Sequence, residues 1–132
     1  MCLPIKVNRP DAVLEEGEHL GFEWTITHNG SGYRCGYVRV QKGHPWHGVD
    51  YDNIACEVHG GLTFASPDEE CGKGEPEDAW WVGFDCAHLG DAQDPELPAS
   101  YVMDRYWNDS VKSQDYVRRQ CMQLCEQAKA AI

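Results

Sequence analysis

The sequence predicts an α+β domain, an antiparallel sheet of about five strands with a C-terminal α-helix packed on one face. Three observations predict it. Apolar and polar residues alternate with period two in several short runs between residues 20 and 86. Glycine- and asparagine-rich turn signals separate those runs. A single stripe at helical spacing closes the chain.

Residues 1–18 show no clear period and are expected to be an irregular N-terminal segment. In 20–28, Leu20, Phe22, Trp24 and Ile26 alternate with Gly21, Glu23, Thr25 and Thr27, the pattern of a half-buried strand. Asn29, Gly30 and Gly32 then supply a turn, because Asn and Gly tolerate positive φ. Residues 33–41 return as a second strand, whose apolar phase changes from Cys35 and Tyr37 to Val38 and Val40; Gly36 between them suggests a bulge. Residues 42–52 are a loop. Residues 54–59 alternate again, Gly60 and Gly61 turn the chain, and 62–65 form a short return strand. After a polar loop, 79–86 make the last strand, with Trp80, Val82 and Phe84 opposite Trp81, Gly83 and Asp85. From Ser113, a helix N-cap, the positions Val117, Cys121, Leu124, Cys125 and Ala128 form one apolar stripe to about residue 130. The domain divides into an N-terminal segment (1–18), a sheet (20–86) and a helix (113–130).

A chain of 132 residues has room for one hydrophobic core. Its 11 Lys and Arg face 22 Asp and Glu, a net charge of −11. Such a surface argues against long nucleic acids and anionic membranes, which are bound by clustered cations. No transmembrane run and no signal-peptide pattern are present. The seven cysteines are odd in number and irregularly spaced, which speaks against a disulfide framework and for a reducing cytosol.

Four of the six histidines fall in three glycine-containing stretches, 43–50, 58–64 and 81–91. Strand ends and their loops are where a rigid sheet displays working residues. Period two places Glu57, His59, Trp81 and Asp85 on one face, opposite Ile54, Cys56, Val58, Val82 and Phe84. That face is expected to be open and roofed by the 42–52 and 86–100 loops. Imidazoles beside carboxylates can transfer protons, ligate a metal or hydrogen-bond a polar ligand. His59, Asp85 and His88 are the candidate catalytic residues. His44, Trp46, His47, Arg39, Thr63, Trp81 and Asp91 are the candidate ligand contacts, with Trp46 or Trp81 stacking on a ring and Arg39 meeting a phosphate. Close pairs such as His44 with His47, and Asp85 with His88 and Asp91, keep a metal open as a third reading. Each of these residues also has a structural reading, as a turn cap or a loop brace. No nucleophile-elbow, P-loop or dinucleotide-binding signature is present, and the sequence leaves any cofactor unidentified.

The stretches Gly-Tyr-Val-x-Val (36–40), Gly-His-Pro-x-x-Gly (43–48), Val-His-Gly-Gly-Leu-Thr-Phe (58–64) and Trp-Trp-x-Gly-Phe-Asp-x-Ala-His-x-Gly-Asp (80–91) resemble a family of bacteriophage and prophage proteins. The resemblance implies a phage origin and action in the host bacterial cytoplasm, and by analogy of origin a role in countering host defence. It implies no particular reaction. The combined expectation is a His- and Asp-lined pocket that binds a nucleotide-like small molecule, with hydrolysis left open. The alternatives are an acidic inhibitor of a host defence protein, or a divalent-metal hydrolase. A pocket shared between copies of the chain in a homo-oligomer is also left open.

Overall fold

The hairpin predicted from residues 20–41 anchors the architecture. In the computed structural model, which describes residues 2–69, 79–103 and 108–132, β2 (Phe22–His28) pairs antiparallel with β3 (Arg34–Val40), Trp24 opposite Val38 and Thr27 opposite Cys35. The turn closes on Asn29, whose Oδ1 accepts the backbone N–H groups of Ser31 and Tyr33 at 2.8 and 3.3 Å. Three further strands complete the sheet: β1 (Val13–His19), β4 (Phe64–Pro67) and β5 (Trp80–Asp85), in the order β1-β2-β3-β5-β4. All pairings are antiparallel. The helix α2 (Gln114–Ala130) lies on one face, packed against β3 and β2. Ser113 caps it by accepting the Tyr116 N–H, and the five residues of the predicted stripe are all buried. The α+β architecture is thus as the periodicities require.

The N-terminal segment is not irregular. It contains a short helix α1 (Pro4–Asn8), a 3-10 turn (Pro10–Ala12) and the edge strand β1. Glu15, Glu16 and Glu18 interrupt the apolar pattern of β1, and charge on an edge strand is a known guard against unwanted pairing. Leu20 and Gly21 form the tight turn into β2, with φ of 54° and 85°.

Gly36 makes no bulge. The register through β3 is continuous on both sides, and the phase change reflects a strand buried on both faces. A Cβ on Gly36 would lie 2.5 Å from the Phe84 ring and 2.8 Å from Cys121 Sγ, so glycine here lets α2 sit close to the sheet. The face away from α2 is not open. Leu3, Cys35, Tyr37 and Trp81 form a second small core there, with Ile5 and Phe64 against it. Arg39 is also on this face and pairs with the fully buried Asp68 side chain at 2.6 Å, while the Trp81 indole N–H donates to the same carboxylate.

Residues 54–59 are not a strand. Their alternation is real, with Ile54, Cys56 and Val58 packed on the main core. Their backbone partners are side chains of α2 instead of a neighbouring strand. Gln127 accepts from Glu57 N–H and donates to Glu57 C=O, both at 2.7 Å, and Gln120 accepts from His59 N–H at 2.9 Å. This extended segment therefore runs over the helix side and takes His59 away from the face of Trp81.

Cys2 is disulfide-bonded, where the odd cysteine count predicts no framework. Cys35, Cys56, Cys86, Cys121 and Cys125 are thiols. No helix among the described residues is long and apolar enough to cross a membrane.

Candidate functional site

Two turns and the start of α2 converge at one end of the sheet. The chain leaves the 54–58 segment at His59 and turns through Gly60 and Gly61, whose φ values are 68° and 81°. It leaves β5 at Asp85 and turns through His88 and Gly90 into β6 (Asp91–Ala92). Asp85 Oδ1 accepts Ala87 N–H, and Asp91 Oδ2 accepts His88 N–H at 3.0 Å, so both carboxylates fix the turn that carries His88. β6 pairs in parallel with β7 (Ser110–Val111), which brings Lys112 to Asp91.

The Asp91 side chain is 2% exposed and forms the centre of the group. Its carboxylate meets His59 Nε2 at 2.9 and 3.0 Å and Lys112 Nζ at 3.1 Å. Burial alone would raise its pKa. The hydrogen bonds from His59, His88 N–H and Lys112 outweigh burial and hold it below the usual carboxylate range. An ionised Asp91 fixes the tautomer of His59: Nε2–H donates to it, and Nδ1 accepts from the Tyr116 hydroxyl at 2.8 Å. Burial above all raises the Tyr116 pKa and keeps that hydroxyl protonated.

His88 is the exposed member, with 33% of its side chain accessible. Its Nε2 lies 3.5 Å from Asp85 Oδ1, and Thr63 donates to the other oxygen of Asp85 at 3.1 Å. Its Nδ1 lies 3.5 Å from Asp91 Oδ2 and is buried with no hydrogen-bond partner among the described residues. The ring rests on Gly60, where a Cβ would come within 2.3 Å of it. The His59 and His88 ring centroids are 5.8 Å apart, edge to face.

A cleft of about 440 Å³ opens beside His88 and Asp91. A second, of about 390 Å³, shares Tyr33, Asp91, Tyr101, Met103 and Asp109 with it as walls. Asp91, Asp94 and Asp109 stand among the walls, Asp91 paired with Lys112 at 3.1 Å and Asp94 with Arg34 at 2.8 Å. Burial raises the Tyr33 pKa, and the neighbouring Tyr101, Asp109 and Asp91 raise it further.

Of the residues singled out in the sequence, His59, Thr63, Asp85, His88 and Asp91 come together. The others do not. His44 accepts the Trp46 N–H on Nδ1, so Nε2 carries the proton and donates to Ala128 C=O at 2.7 Å, satisfying a carbonyl in the last turn of α2. Trp46 is 6% exposed and belongs to the main core. His47 lies beside the Trp80 ring. Trp81 is 1% exposed and Arg39 holds Asp68, so neither is placed to meet a ligand. Cys86 next to the group is no nucleophile: burial first, then the charge of Asp91, pushes its thiol up to about 12. Sequence reasoning missed Tyr116, Lys112, Tyr33 and Tyr101. Tyr116 had a signal, since it stands one residue before the helix stripe on the N-terminal turn of α2.

No protein-family model, curated protein or solved structure matches the chain.

Proposed function

We propose that the protein binds a nucleoside-like small molecule in the cleft walled by Tyr33, Tyr101 and Met103, with the ligand's polar edge turned to His88 and Asp91. The observation that carries this reading is the convergence of aromatic walls on a buried, ionised carboxylate and an accessible imidazole. Tyrosine faces suit a planar base, and Asp109 and Asp91 suit its amino groups or ribose hydroxyls. Arg39, the sequence's choice for a phosphate, is engaged by Asp68. The nucleoside part enters and any phosphate stays at the mouth. A phage protein acting on a nucleotide signal in the host cytoplasm is the setting this proposal shares with the family resemblance.

The test is direct. Untagged protein is incubated with nucleosides, cyclic nucleotides and ADP-ribose-type compounds, then washed and heat-denatured, and the supernatant is analysed by chromatography and mass spectrometry. Intact ligand released from wild type and not from Tyr101→Ala supports binding, and a cleaved product supports turnover. A panel neither retained nor altered refutes the reading.

A second reading, an acidic inhibitor that docks on a host protein, has one observation in its favour. Leu89 and Val102 stand 97% and 95% exposed, with Tyr101 and Met103 about half exposed beside the same cleft. It requires Leu89→Asp and Val102→Asp to abolish activity while His88→Ala leaves it intact.

A further inference from the structure

We infer that His59, His88 and Asp91 form a binding site for one divalent transition-metal ion, with His59 Nε2, His88 Nδ1 and Asp91 Oδ2 as its protein ligands. The inference concerns the cluster itself and stands whether or not a small molecule enters the cleft.

Distances are the first support. One ligand atom from each of His59, His88 and Asp91 lies within 4.8 Å of the other two. His59 Nε2 and His88 Nδ1 are 2.9 and 3.5 Å from Asp91 Oδ2. Ligands at about 2.0–2.1 Å from a tetrahedral ion are about 3.3 Å apart. These two edges bracket the separation an ion would impose, and the third, between the two imidazole nitrogens, would close toward the same value as the rings turn in.

The outer partners of the two rings are the second support. A metal-bound imidazole usually gives its other ring nitrogen to an oxygen that fixes its tautomer and orientation. Both rings have such a partner, and both partners are on the side away from Asp91. Tyr116 holds His59 at Nδ1, and Asp85 faces His88 at Nε2, itself held by Thr63 and Ala87 N–H. What is left pointing inward is one nitrogen of each ring. That of His88 is buried and has no hydrogen-bond partner among the described residues, a state that costs free energy unless something occupies it.

Protons balance on binding. The proton on His59 Nε2 moves to Nδ1, and the Tyr116 hydroxyl turns from donor to acceptor. Lys112 contacts Asp91 Oδ1, and Oδ2, which accepts His88 N–H on one lone pair, offers its other to the ion. Two imidazoles and one carboxylate suit zinc, iron, nickel or manganese better than calcium or magnesium, which prefer all-oxygen shells. Three protein ligands leave a position for water or a ligand atom, as in catalytic sites, where structural zinc takes four. The 440 Å³ cleft reaches the site at His88 and Asp91.

The experiment uses untagged protein stripped with chelator, with no small molecule present. Zinc uptake is measured by calorimetry and elemental analysis, and cobalt uptake by absorption spectroscopy. One equivalent per chain is expected for wild type. His88→Ala, a turn residue whose loss the fold should tolerate, is expected to abolish stoichiometric uptake, with folding checked by circular dichroism. Asp85→Asn is expected to weaken affinity by about 10- to 100-fold. Absence of a stoichiometric site in wild type overturns the inference. So does uptake unchanged in His88→Ala, or thiolate-to-cobalt charge-transfer bands, which would place the ion on the cysteines. Ligand retention by chelator-treated protein is scored separately, so failure of the metal site and failure of the cleft reading are distinguishable.

Discussion

Gly60 and Gly61 offer a matched pair of substitutions that separates backbone strain from the integrity of the His88 site. Both residues have positive φ, 68° and 81°, so alanine at either pays the left-handed penalty of roughly 1–2 kcal/mol. Their surroundings differ. A Cβ on Gly61 meets nothing within 4 Å, whereas one on Gly60 would lie 2.3 Å from His88 Cε1 and 2.5 Å from Nδ1. In Gly60→Ala the His88 ring must swing out and give up its 3.5 Å contacts with Asp85 and Asp91. The His88 ring is a third exposed and both contacts are long, so each is worth about 0–1 kcal/mol and the extra loss of stability is small. For a domain of this size 1 kcal/mol is roughly 4 °C in Tm. Thermal denaturation should therefore show both variants folded, Gly61→Ala melting about 4–8 °C below wild type and Gly60→Ala a few degrees lower still. Zinc titration should separate them sharply: Gly61→Ala binds as wild type does, and Gly60→Ala, which displaces a ligand, loses at least about 10-fold in affinity, the lower bound set by the loss of an outer partner alone. Equal affinities in the two variants would refute the placement of His88 over Gly60.

Three further outcomes are expected. Arg39→Met strands the Asp68 carboxylate in the second core and should cost about 3–5 kcal/mol in a denaturant titration, while the remaining folded protein retains small molecules as wild type does. Gly36→Ala, with its Cβ against Phe84 and Cys121, should overpack the interface of β3 and α2 by about 1–3 kcal/mol, read as a lower urea midpoint with unchanged slope. In Asp91 and Asp94, burial alone would raise the pKa, but hydrogen bonds to His59 and Lys112 in one and to Glu96 N–H and Arg34 in the other leave both below the ordinary carboxylate range. Their contribution to stability is full above the unfolded value near pH 4 and is lost as pH falls through the folded values. Urea midpoints should thus drop on acidification below about pH 4, and drop less in Asp91→Asn.

The hairpin β2–β3, the strand β5 and the helix α2 were legible in the sequence because each buries a regular stripe. The concentration of His59, Asp85, His88 and Asp91 beside glycines was legible too, but the shared open sheet face expected to bring them together does not form. What stayed hidden depended on partners distant in the chain. The glutamates of β1 hide an edge strand, and Arg118 of α2 meets Glu15 across the fold. Period two in residues 54–59 reports which side chains are buried and says nothing of who satisfies the backbone, here Gln120 and Gln127 of α2. The second sheet face was expected to be open because nothing local shows that Leu3 and Ile5 return to cover it. For the same reason Trp81 and Arg39 read as ligand contacts, although one is buried in that small core and the other bound to Asp68 beneath it. His44 and His47 share the composition of a site, but His44 serves the C-terminal end of α2 and His47 lies by Trp80.

The central claim is that His59, His88 and Asp91 form one working centre at the edge of an aromatic cleft. Anomalous diffraction at the zinc absorption edge, from crystals of chelator-stripped protein soaked in zinc, tests it most directly. A single strong peak is expected about 2.0–2.2 Å from His59 Nε2, His88 Nδ1 and Asp91 Oδ2. A peak on the cysteines, or no peak with these three side chains turned apart, would contradict it.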